Sequence, residues 1–70
     1  MQQLSFTIKG DFIQLIKLLK VTGVADSGVD AKILVEEEKV SVNGALELRK
    51  RAKICPGDKV TVDDISIVVA

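Results

Sequence analysis

Apolar and polar residues alternate from Leu4 to Ile8, with Leu4, Phe6 and Ile8 on one face and Ser5 and Thr7 on the other. A period of two marks a strand with one buried face. Beyond Lys9-Gly10 the period lengthens. From Asp11 to Val21, Phe12, Leu15, Ile16 and Leu19 recur at i, i+3, i+4 and i+7, which predicts a helix with one apolar stripe. Gln14 and Lys17 fall opposite that stripe, Asp11 suits the N-cap, and Gly23 suits the stop. A second helix is predicted from Ser27 to Glu37, with Ser27 as cap and Asp30 placed to complete a capping box. Ala31, Leu34 and Val35 share one face of it, and Val29 and Ile33 lie nearly opposite. A helix apolar on two sides is expected to pack on two sides, here against the first helix and a sheet.

Strands follow. In Val40-Ser41-Val42-Asn43-Gly44, alternating valines lead into Asn-Gly, the dipeptide a type I′ hairpin turn favours because both central residues need positive φ. Ala45 to Ile54 suits a helix by composition and a strand by position, and the preceding turn favours the strand. In that reading Leu46, Leu48, Ala52 and Ile54 face inward, Glu47, Arg49, Arg51 and Lys53 face outward, and Lys50 breaks the pattern. Pro56-Gly57-Asp58 is a turn, Lys59 to Val62 a strand, Asp63-Asp64 a turn, and Ile65 to Val69 a closing strand. Two helices on a small, mostly antiparallel sheet make an α+β domain.

Seventy residues allow one domain, 1–70, and the only aromatics are two Phe, expected in an otherwise aliphatic core. Ten cations balance ten carboxylates, so charge placement matters more than the total. A single cysteine, Cys55, excludes an intramolecular disulfide. The start Met1-Gln2-Gln3-Leu4-Ser5 lacks a basic n-region, and no apolar run approaches the ~20 residues that span a bilayer. A cytoplasmic protein with no membrane partner is expected. There is no His to activate Cys55, no Cys/His set for zinc, no calcium-loop spacing and no glycine-rich phosphate loop. The expectation is therefore a non-enzyme without metal or cofactor.

Arg49-Lys50-Arg51-x-Lys53 holds four of the ten cations. Extended, its alternate side chains stand ~6.6 Å apart, a ridge able to follow phosphates; the plainer alternative is a solvated face. Lys32 lies one turn before Glu36 and by itself reads as a surface pair. Ser27 reads first as a helix cap and second as an anion contact, and Asn43 reads first as a turn residue. Lys20 and Lys39 could extend the basic surface.

Gly23, Ser27-Gly28, Ala31-Lys32, Val40-Ser41-Val42-Asn43-Gly44, Glu47, Arg49, Arg51, Lys53 and Gly57-Asp58 occur in an order that resembles the S4-like RNA-binding domain in its small stand-alone bacterial form, strongest over residues 11–62. The resemblance implies the S4-like (alpha-L motif) fold and a monomer that binds structured RNA, either ribosomal RNA or an RNA–protein particle. Lys32, Arg49, Lys50, Arg51, Lys53, Ser27 and Asn43 are the candidate contacts. With both Phe expected in the core, recognition by shape is favoured over stacking of single-stranded bases. A second reading keeps the fold but makes the partner a protein, with no direct RNA contact and the Glu36-Glu37-Glu38 face as important as the basic one. Two positions depart from the family pattern. Gly28 stands where the general pattern often has Arg, and Glu38 stands where Gly is preferred, at about 1 kcal/mol if the backbone there is left-handed.

Overall fold

The computed structural model describes residues 2–70. In chain order these form β1 (Gln2–Phe6), β2 (Ile13–Gln14), α1 (Leu15–Val21), α2 (Gly28–Glu36), β3 (Val40–Val42), β4 (Ala45–Leu46), β5 (Lys53–Ile54), β6 (Lys59–Val62) and β7 (Ile65–Val69). The order β1-β7-β6-β3-β4 makes one sheet, and β2 with β5 makes a separate two-stranded ladder. Every pairing is antiparallel except β1 with β7. Leu15, Leu18 and Leu19 of α1, Ala31 and Val35 of α2, and Val40, Val60, Val62, Ile67 and Val69 of the sheet meet in one aliphatic core. The register aligns Gln3, Ser66, Thr61, Ser41 and Leu46 in a row across all five strands, on the opposite face from the core valines.

The first helix is shorter than its apolar period suggests. It begins at Leu15, with Gln14 at the N-cap and no side-chain cap. Asp11 does not cap it, because Ile13 and Gln14 are drawn into the ladder with Ile54 and Lys53. Backbone carbonyls cap it instead: the Leu15 N–H donates to the Ala52 carbonyl at 2.9 Å and the Ile16 N–H to the Lys50 carbonyl at 3.2 Å. The stop does fall at Gly23, which adopts φ 81°.

Helix α2 is capped by Ser27, whose Oγ accepts the Asp30 N–H at 3.2 Å. It buries one face only. Ala31 and Val35 are fully covered, but Val29 is 66% exposed and Ile33 44%, so the expected packing on both sides does not occur. The helix ends in a Schellman motif, in which the Glu38 N–H reaches the Val35 carbonyl and the Lys39 N–H the Leu34 carbonyl. Glu38 is left-handed, φ 61°, at the position where the S4-like resemblance leads one to expect Gly.

The Asn-Gly hairpin forms as predicted, with φ 53° at Asn43 and 86° at Gly44. It also overturns the alternation predicted beyond it. A two-residue turn pairs Val42 with Ala45 and Ser41 with Leu46, so Leu46 shares the outward face of Ser41. Leu46 and Leu48 are accordingly exposed, and the Glu47 N–H turns in to the Val40 carbonyl. Ala52 and Ile54 are buried as expected.

Candidate nucleic-acid interface

The basic segment is not the extended ridge its alternation suggested. Between Leu46 and Lys53 the chain leaves the sheet, and a turn closes with the Ala52 N–H on the Arg49 carbonyl at 3.3 Å. The turn is docked on α1, whose first amides need acceptors outside the helix and donate to the Lys50 and Ala52 carbonyls. With those carbonyls directed inward, the side chains of Arg49, Lys50 and Arg51 are left exposed on a turn held against the helix.

Lys53 follows in β5, opposite Gln14. Its Nζ stands 5.0 Å from the centroid of the Phe12 ring, a cation–π contact. Phe12 is 44% exposed, contrary to the expected core position; only Phe6 packs against the core. Residues 11–14 run into the β2–β5 ladder rather than a first helical turn, which removes Phe12 from the helical stripe.

The electrostatics are uneven. The Arg49 Nε donates to Glu47 Oε1 at 2.9 Å, and the only other ion pair among the described residues is Lys39 with Glu37 at 3.8 Å. Lys50, Arg51 and Lys32 carry no ion pair among those residues, nor does Lys20. The Val40–Val62 pairing brings Asp63-Asp64 and the Glu36-Glu37-Glu38 run, which precedes β3, to one end of the sheet.

The predicted contacts therefore fall into separate groups. Arg49, Lys50, Arg51 and Lys53 are gathered at the α1 N-terminus. Lys32 stands exposed on α2. Ser27 is occupied as the α2 cap. Asn43 is occupied as a brace: its Nδ2 donates to Asp58 Oδ1 at 3.0 Å and its Oδ1 accepts the Lys59 N–H at 2.9 Å. Asp58 in turn accepts the Cys55 N–H through Oδ2 at 2.8 Å, tying the hairpin turn to the Pro56-Gly57 turn. Cys55 is an exposed free thiol, and no group of three or more His, Cys, Asp or Glu among the described residues could hold a metal ion. No described helix is long and apolar enough to cross a membrane.

A model of the S4 domain matches residues 6–70. The chain belongs to the S4 domain family. Among its relatives in that family is YbcJ of Escherichia coli strain K12, 43% identical over 61 residues, which are 87% of each chain. YbcJ of Shigella flexneri matches to the same extent. The solution structure of E. coli YbcJ, which revealed an alpha-L motif involved in RNA-binding, superposes with a TM-score of 0.71 at 37% identity, covering 97% of this chain and 90% of that one. The α+β architecture described above is thus the S4 fold.

Two residues of this S4 surface carry no clear signal in the periodicity. Phe12 satisfies the helical stripe and is placed in the core by it. Alternation places Glu47 outward, yet its side chain is only 15% exposed and holds Arg49. The hairpin register would have revealed Glu47, because a two-residue turn sets it opposite Val40.

Proposed function

We propose that this S4 domain binds structured RNA through the turn at residues 49–52 together with Lys53, with Lys32 as an outlying cation. The observation that carries the reading is the docking of that turn on α1. The Lys50 and Ala52 carbonyls face the helix, so three consecutive cationic side chains face solvent from a fixed backbone. Arginine offers bidentate donors to phosphate oxygens and lysine a point charge, so the cluster suits a phosphate backbone. A neutral net charge does not oppose this, because only Arg49 among these cations has a carboxylate partner. Family membership and the alpha-L motif of YbcJ support the same reading. Its setting in our proposal is a folded RNA in the cytoplasm, ribosomal RNA or an RNA–protein particle, bound by a monomer.

The test is the salt dependence of affinity for a folded RNA. With three to four phosphates neutralised, log K should fall against log salt with a slope of about −2 to −3.5, a loss of roughly 20- to 130-fold between 50 and 200 mM. Reversing Lys50 and Arg51 together to Glu should abolish binding at the higher salt. The melting temperature should barely move, since exposed charges contribute little to stability. Salt-insensitive or absent RNA affinity in the wild type, with loss of a protein partner on the same double reversal, would instead establish a protein-interaction module.

A further inference from the structure

Phe12 is a large apolar ring left half in water within the basic surface. An isolated exposed hydrophobic residue needs no explanation. This one has three features that set it apart. Phe6 is packed against the core and the chain has no Tyr or Trp, so Phe12 is its one freely exposed aromatic. Its ring already holds a cation, Lys53 Nζ at 5.0 Å from the centroid. The backbone that presents it is fixed, because Ile13 and Gln14, the next two residues, pair with Ile54 and Lys53. The adjoining Leu15 and Ile16 amides donate to the Ala52 and Lys50 carbonyls of the basic turn. Ring and cations therefore occupy one rigid junction.

We infer that Phe12 is a stacking platform for one unpaired nucleobase of the bound RNA, with Lys53 supplying the cation for the phosphate beside it. Every base has an apolar π face that an aromatic ring can cover, while the neighbouring phosphate needs a positive charge within reach. Arg49, Lys50 and Arg51 then hold the adjoining duplex by its phosphates. The preferred ligand class becomes a duplex interrupted by an unpaired nucleotide, such as a bulge or a loop closing a stem. This inference rests on the RNA-binding reading and adds to it a preference that charge alone does not provide.

The experiment compares one RNA hairpin, fully paired, with the same hairpin carrying a single bulged adenosine. Wild type should favour the bulged form by roughly tenfold, the lower part of the range that removal of one stacking aromatic produces. Phe12→Leu should keep the affinity for the paired hairpin and lose the preference. Phe12→Trp should keep the preference and report it directly. The chain has no other Trp, so its emission should be quenched by the bulged RNA and left nearly unchanged by the paired one. Thermal melts confirm that both variants remain folded. If wild type binds both hairpins equally, or if Phe12→Leu weakens both alike, the stacking role is overturned and RNA binding stands. If wild type binds neither, both readings fall.

Discussion

Replacing Glu38 with Gly should make this domain more stable, although it removes a side chain and adds freedom to the unfolded chain. Glu38 is the C′ residue of the α2 Schellman motif, at φ 61°. An L-residue in that conformation is disfavoured by about 1–2 kcal/mol through contact of Cβ with the following carbonyl, and glycine escapes this. Glycine also enlarges the unfolded ensemble, which costs about 0.4–1 kcal/mol. The difference favours Glu38→Gly by about 0.5–1 kcal/mol. The carboxylate itself lies at the negative end of the helix dipole, but it is exposed and its effect is small. Glu38→Ala separates the two causes, because it removes the charge and keeps Cβ. For a domain of this size, Gly should raise the Tm by about 2–8 °C. It should raise the urea midpoint by about 0.5–1 M if m is near 1 kcal/mol/M. Ala should leave both nearly unchanged. An equal rise for Ala would refute the backbone argument by assigning the gain to charge, and a flat or lower midpoint for Gly would refute it outright.

Gly44→Val should lower stability by about 1–2 kcal/mol in a denaturant melt. A Cβ at Gly44 would meet nothing within 4 Å, so its penalty comes from φ 86° and not from a clash of that atom. Asn43→Ala should cost about 1–2 kcal/mol, because it removes both the Asp58 and Lys59 bonds of the brace. Its RNA affinity, measured under conditions where the variant remains folded, should be unchanged; a selective loss of affinity would make Asn43 a contact. Glu47→Gln should free Arg49 for phosphate, raising affinity at low salt and steepening the salt slope by about 0.7–0.9, the increment for one more neutralised phosphate.

The parts legible in the sequence are those fixed by neighbouring residues. Asn43-Gly44, Ser27 as a cap, the stop at Gly23, and the bounds of β6 and β7 all follow from local chemistry, and all are found. The ordered set of motifs identified the S4 fold, and the glycine preference it carries located the left-handed residue at Glu38. What the sequence hid depends on distant partners. Asp11 is a good cap for a helix starting there, but Ile13 and Gln14 are claimed by residues roughly 40 positions away. That one long-range ladder moves the start of α1 and takes Phe12 out of the helical stripe, and the basic run folds into a turn docked on the shortened helix. Of the proposed site, the clustering of four cations from Arg49 to Lys53 is visible in the sequence, but their arrangement is not. Leu46 is a different kind of miss. The hairpin register sets it on the outward face with Ser41, whereas its apolarity alone points inward.

The parallel pairing of β1 with β7 bears on how the molecule is made. Gln2 meets Ile65, so closing that contact ties together a loop of roughly 60 residues, at about 3.6 kcal/mol of chain entropy beyond a constant. At about 5–20 residues per second on the ribosome, β1 waits roughly 3–12 s for its partner. The ladder from Ile13 to Ile54, which holds the basic turn against α1, needs nothing beyond residue 54 and can assemble first. Strand β7 lies between β1 and β6, and until it arrives the core lacks Ile67 and Val69. The proposed RNA-binding turn thus lies wholly within the first 54 residues to leave the ribosome, and β7, which completes the core, follows it.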